Sequence, residues 1–152
     1  MNFTRYDISY MEMALVWAKN SHCKRKQVGA FIVKDQMIIS DGFNGTPSGM
    51  DNCCEDAQGD TQWHVIHAEA NALMKLASST NSSKGATLYI TLSPCRECAK
   101  LILRSGIERL VFDRKHSDQS GVELLRHAGV LVQQLDMSNL PTNIKFPNGV
   151  ER

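Results

Sequence analysis

Thr87-Leu88-Tyr89-Ile90-Thr91-Leu92-Ser93-Pro94-Cys95-Arg96-Glu97-Cys98 is the stretch on which the fold turns. Its first five residues are β-branched, aromatic or aliphatic and read as a strand. Ser93-Pro94 offers an N-cap and a first-turn proline, so a helix is expected from about Cys95 to Arg104. Ile107 to Phe112 reads as the next strand, Ser120 to His127 as a helix, and Gly129 to Leu135 as a last strand. A strand-helix-strand unit of this kind pairs in parallel with a right-handed crossover. Upstream, Ile8, Met11, Leu15 and Ala18 recur at helical spacing, which predicts a first helix over Tyr6 to Asn20. The apolar runs Val28 to Val33 and Met37 to Ser40, split by Lys34-Asp35-Gln36, suggest a hairpin. His67 to Ala77, rich in Ala and Leu, completes the order α-β-β-α-β-α-β-α-β. The expected class is α/β, three layers around a five-stranded mixed sheet. From Gly42 to Gln62 no period survives, and a loop that long in a small domain is functional or held by something. The tail from Asp136, with Pro141 and Pro147, has no period either.

The chain has 152 residues, expected to form one domain with a core over about 4–135 and an irregular tail over 136–152. Seventeen Lys and Arg against sixteen Asp and Glu give a net charge of +1, which disfavours nucleic-acid binding through phosphates. No apolar run approaches the ~20 residues that span a bilayer, and Met1 to Tyr10 lacks a secretory h-region, so a cytosolic protein is expected. Five cysteines, an odd count without a secretory signal, argue for metal or redox chemistry over a disulfide framework.

Two short segments carry the chemistry. Cys95 and Cys98 are three apart at a helix start, where they share a face and the helix N-terminus favours thiolates. His67 and Glu69 are two apart, about 200° around a helix, so both reach one site only over its N-terminal end. One His and two Cys give Zn²⁺ three protein ligands and leave a fourth position for water, the pattern of a catalytic site. A carboxylate that is not a ligand, here Glu69, can then shuttle protons. A redox pair at Cys95 and Cys98 would not need His67-Ala68-Glu69. A zinc ribbon would need a second spaced pair, whereas Cys53 and Cys54 are adjacent. His-x-Glu with Pro-Cys-x-x-Cys is the signature of zinc deaminases of nucleobases.

The sequence resembles a narrower family, the deoxycytidylate deaminases, from about Thr4 to Leu135. Gln27-Val28-Gly29-Ala30, Gly42-Phe43-Asn44-Gly45-Thr46-Pro47-Ser48-Gly49, Ile66-His67-Ala68-Glu69-Ala70-Asn71-Ala72 and Leu92 to Lys100 carry the resemblance. It implies a cytidine-deaminase-like fold and hydrolysis of dCMP to dUMP and ammonia, supplying dUMP for thymidylate synthesis. It implies a catalytic zinc on His67, Cys95 and Cys98, with Glu69 as proton shuttle. Val28 and Ser93 would line the base pocket and Asn44 would contact the sugar. It further implies a cytoplasmic homohexamer (in the host cytoplasm if the chain is viral), activated by dCTP and inhibited by dTTP, with Gly45, Thr46 and Pro47 near the effector. Some phage members hold a second, structural zinc, to which Cys23, Cys53 and His64 would correspond. Its fourth ligand is open between His22 and Cys54, since Val65 stands where an acid is wanted. Buried free cysteines packing as small hydrophobes are the alternative. The phosphate partner is open between Lys24-Arg25-Lys26 and Arg114-Lys115-His116, either of which could be a solvated charged turn. Family members often carry an aromatic where this chain has Lys115. Competing readings are a deaminase of a free nucleoside or tRNA base, and a non-catalytic zinc module.

Overall fold

The structure, a computed structural model, describes residues 2–140. Helix α1 (Arg5–Ala18) leads into strands β1 (Gly29–Lys34) and β2 (Met37–Phe43). Then follow α2 (Ala68–Ala77), β3 (Thr87–Leu92), α3 (Arg96–Arg104), β4 (Arg109–Arg114), α4 (Ser120–His127) and β5 (Leu131–Gln134). The five strands form one mixed sheet in the order β2-β1-β3-β4-β5. β1 runs antiparallel to β2 and β3, while β3, β4 and β5 are mutually parallel, as the strand-helix-strand pattern predicts. The β1–β2 hairpin closes through Asp35 and Gln36, both at positive φ (51° and 59°), the primed geometry that matches strand twist.

Alternation along β1 sorts the core into two layers. Ala30 and Ile32 face α2, α3 and α4 and pack with Leu88, Ile90, Leu110 and Phe112. Phe31 and Val33 face α1 and pack with Ile8, Met11, Tyr89 and Val111. The three inner strands, β1, β3 and β4, are buried on both sides and so read as unbroken apolar runs. Each fully buried Leu, Ile or Phe among them contributes roughly 1.5–3 kcal/mol.

The α1 layer also holds a buried polar cluster. Thr4 and Asp7 form a capping box at the start of α1. Asp7 Oδ1 accepts from the Tyr89 hydroxyl at 2.6 Å and from Arg109 at 2.7 Å, and Arg109 Nε donates to Gln133 Oε1 at 2.7 Å. Four elements, α1, β3, β4 and β5, are thereby tied into one cluster. Burial would raise the Asp7 carboxyl, but hydrogen bonds from Arg109 and Tyr89 hold it below the ordinary carboxylate range. Burial and the bond to Asp7 push the Tyr89 phenol up.

Several expected boundaries move, β2 among them, which runs on to Phe43. β4 begins at Arg109 and runs to Arg114, because its ladder continues against β3 as far as Leu92. The tail is not wholly irregular: Met137–Asn139 form a 3₁₀ turn capped by Asp136, and Met137 is buried in the α1 layer. The rest of that expectation, residues 141–152 with Pro141 and Pro147, lies outside the described residues.

Candidate active site

The site forms where α2 and α3 begin, beside the carboxyl end of β3. His67 is the N-cap of α2 and Cys95 the N-cap of α3. The Cys95 side chain accepts from the Cys98 N–H, so the thiol does the capping work expected of Ser93. Ser93 is still engaged in the sheet: its N–H donates to the Arg114 carbonyl at 2.8 Å. The cap therefore falls two residues after Ser93, and the helix begins at Arg96, one residue later than expected.

His67 Nδ1 lies 3.4 Å from Cys98 Sγ and 3.6 Å from Cys95 Sγ. A tetrahedral zinc with Zn–N near 2.1 Å and Zn–S near 2.3 Å would separate such atoms by about 3.6 Å. The three side chains thus fit zinc in number, type and spacing, and they are the one such ligand group among the described residues. The Cys95 thiol is held down to about 3 by hydrogen bonds involving Cys98 and His67, so it presents a thiolate. The bond to Cys95 and burial push Cys98 up, and the bond to Cys95 raises His67. Glu69, in the first turn of α2, is 3% exposed, and burial pushes its carboxyl up.

Two glycines seat these turns. A Cβ on Gly42 of β2 would lie 2.4 Å from the Ala68 carbonyl oxygen, at the start of α2. A Cβ on Gly121 of α4 would lie 2.7 Å from the Cys95 carbonyl oxygen and 2.8 Å from that of Pro94. Backbone meets backbone at both ligand-bearing turns, closer than any side chain would permit.

A cavity of about 260 Å³ opens onto this group. His67, Glu69 and Cys95 line it, together with Val28, Asn44 and Ser93, so every residue expected at the base and sugar reaches the cavity. The side chains of Asn44 and Ser93 also do structural work. Asn44 Oδ1 accepts from the Val28 N–H at 2.9 Å and its Nδ2 donates to the Lys26 carbonyl at 2.8 Å. Ser93 Oγ accepts from the His116 N–H at 2.7 Å and from Gln119 at 3.1 Å, pinning the β4–α4 loop to the cavity wall. Of the two basic clusters, Arg25, Lys26 and His116 line the cavity. Gly45 pairs with Ile66 in an isolated bridge, and Gly45, Thr46 and Pro47 are partly exposed.

The structure does not assemble the second expected ligand set. Cys23, Cys53 and His64 do not converge. Cys23 is disulfide-bonded to Cys54, which removes its thiolate as a metal donor. Cys53 is an exposed free thiol near the Glu55 carbonyl, and His64 packs edge-on against Trp63. The same bond corrects the expectation that no disulfide would form: the long loop is held by sulfur after all, by a pairing across 31 residues.

Sequence reasoning passed over Glu55, which also lines the cavity. Its Oε1 accepts from the backbone N–H groups of Lys24 and Arg25, both at 2.8 Å. Nothing in its local sequence marks it, because the partner segment lies 30 residues away.

Residues 4–114 match the model of a family described as the cytidine and deoxycytidylate deaminase zinc-binding region. The chain is 32% identical over 173 residues to the deoxycytidylate deaminase of Enterobacteria phage T4, spanning 86% of this chain and 90% of that protein. It is 36% identical over 124 residues to the deoxycytidylate deaminase of Mycobacterium phage D29, spanning 72% of this chain and 95% of that one. Among solved structures, the dCMP deaminase of cyanophage S-TIM5 in complex with dCMP and dUMP superposes with a TM-score of 0.86 at 38% identity, covering 89% of this chain and all of that one. Fold, ligand geometry and similarity over most of the length agree, and the chain belongs to the cytidine and deoxycytidylate deaminase family of zinc-binding enzymes.

Proposed function

We propose that the chain hydrolyses dCMP to dUMP and ammonia. The observation that carries this reading is one cavity lined both by the His67, Cys95 and Glu69 group and by Arg25 and Lys26. The first set suits attack at an amino-bearing ring carbon, and the second suits a phosphate. His67, Cys95 and Cys98 would hold zinc, which when bound supplies a water that ionises near pH 7. Glu69, buried and not a ligand, carries a proton to ring N3 and then to the departing amine. Val28 and Ser93 flank the base, and Asn44, fixed at both ends of its amide, holds the Lys26–Val28 segment against the sugar. The same reading includes a cytoplasmic homohexamer supplying dUMP for thymidylate synthesis. It includes activation by dCTP and inhibition by dTTP at Gly45, Thr46 and Pro47, supported by the partial exposure of that loop.

The test is ammonia release from the zinc-loaded protein offered dCMP or deoxycytidine, with and without dCTP and dTTP. Turnover of dCMP, little of deoxycytidine, and opposite responses to the two triphosphates are expected. Preference for the free nucleoside would overturn the phosphate assignment, and a rate indifferent to both triphosphates would overturn the regulation. Glu69→Gln should retain zinc and lose about 10²–10⁴-fold in turnover.

A further inference from the structure

Glu55 is a carboxylate inside a cavity that otherwise offers a phosphate two cations, Arg25 and Lys26. It is held there on two sides. Its neighbour Cys54 is bonded to Cys23, and an isolated antiparallel bridge joins Glu55 to Thr61. Its Oε1 is taken by the Lys24 and Arg25 N–H groups, so the carboxylate cannot swing away without breaking two hydrogen bonds. Among the described residues no group bonds its Oε2. A fixed negative charge with one free oxygen cannot serve a phosphate dianion, which it repels. It serves a neutral hydroxyl donor, because a carboxylate accepts hydrogen bonds and gives none.

We propose that Glu55 determines specificity by accepting a hydrogen bond from the free 3′-hydroxyl of the sugar and excluding any nucleotide whose 3′-oxygen is esterified. The proposal rests on the reading of the cavity as a nucleotide site and deepens it. The acid that welcomes a 3′-hydroxyl repels a 3′-phosphate, so the site takes mononucleotides and refuses internal positions of a strand. Arg25 and Lys26 supply attraction for one phosphate, and Glu55 decides where on the sugar that phosphate can be.

The experiment compares kcat/KM for dCMP and for deoxycytidine 3′,5′-bisphosphate in the zinc-loaded wild type and in Glu55→Gln. Direct calorimetric titration of each nucleotide accompanies the kinetics. The amide keeps an oxygen for the Lys24 and Arg25 N–H groups and removes the charge. The wild type should prefer dCMP by 100-fold or more. In Glu55→Gln, KM for dCMP should rise severalfold while kcat stays close. The preference over the bisphosphate should fall at least tenfold, through tighter bisphosphate binding. An unchanged ratio in both kinetics and titration overturns the role of Glu55 and leaves the dCMP reading intact. A wild type that neither binds nor turns over dCMP overturns the reading of the site and this inference with it.

Discussion

Two cysteine pairs border one cavity and meet opposite fates. Cys95 and Cys98 sit three residues apart at the start of α3, stay unbridged, and lie within 3.6 Å and 3.4 Å of an imidazole nitrogen. Cys23 and Cys54 are 31 residues apart and close on each other. The first pair is organised by a helix N-terminus, whose N–H groups and dipole stabilise thiolate, and its two sulfurs converge on His67 Nδ1. The second lies outside any helix, in the irregular chain between α1 and β1 and between β2 and α2, and there an uncharged bridge avoids the desolvation cost of two buried thiolates. Sulfur chemistry in this molecule is set by backbone context, not by the number of cysteines.

The comparison breaks most sharply by exchanging the pairs' roles. Cys98→Ser should abolish zinc retention and lower turnover by at least ~10³-fold, more than loss of Glu69 alone costs in metal content, as metal analysis and ammonia release would register. Replacing Cys23 and Cys54 together by serine should leave one zinc per chain in place. It should lower the stability of the oxidised protein by about 3.7 kcal/mol, the loop-closure value for a bridge of this span, read in urea unfolding. Loss of the bound zinc in that double variant would mean that the two pairs are not independent.

A change remote from both pairs supplies the reference. Asp7→Asn should cost about 2 kcal/mol, the order of a buried charge-assisted hydrogen bond, and leave zinc content and KM alone. It should also flatten the pH dependence of stability. The Asp7 carboxyl is lowered in the folded state, so its contribution is fully present above the ordinary carboxylate range. That contribution is lost as pH falls through the lowered folded value. Acid titration of the wild type should therefore show a loss of stability below about pH 4 that Asp7→Asn lacks.

How much of this was legible in the sequence follows from how local each signal is. The order of the nine main elements and the parallel pairing of the last three strands could be read, because apolar runs and helical periods are local. The grouping of His67, Cys95 and Cys98 could be read because His67 and Glu69, and Cys95 and Cys98, each lie within one turn. The Cys23–Cys54 bond could not, since its partners are joined through the β1–β2 hairpin and then residues 44–53, which have no period to fix their path. Glu55 was invisible for the same reason. Ser93 misled in the opposite direction. Its side chain fits an N-cap, but its N–H is claimed by Arg114 in the sheet, and a tertiary hydrogen bond overrode the local rule.

Gly121 lies in the first turn of α4, where alanine would ordinarily improve a helix by up to about 1 kcal/mol. A stability screen would nominate it for replacement. Yet the methyl group would press on the carbonyls of Pro94 and Cys95, and on Gly42 its counterpart would press on the start of α2. The two positions work as stops that set how deep each ligand-bearing turn can sit. A shift of about 1 Å at such a place can cost 100-fold in rate. The chain has kept its registration at the expense of its helix, and improvement by local propensity here would detune the enzyme while leaving every catalytic side chain in place.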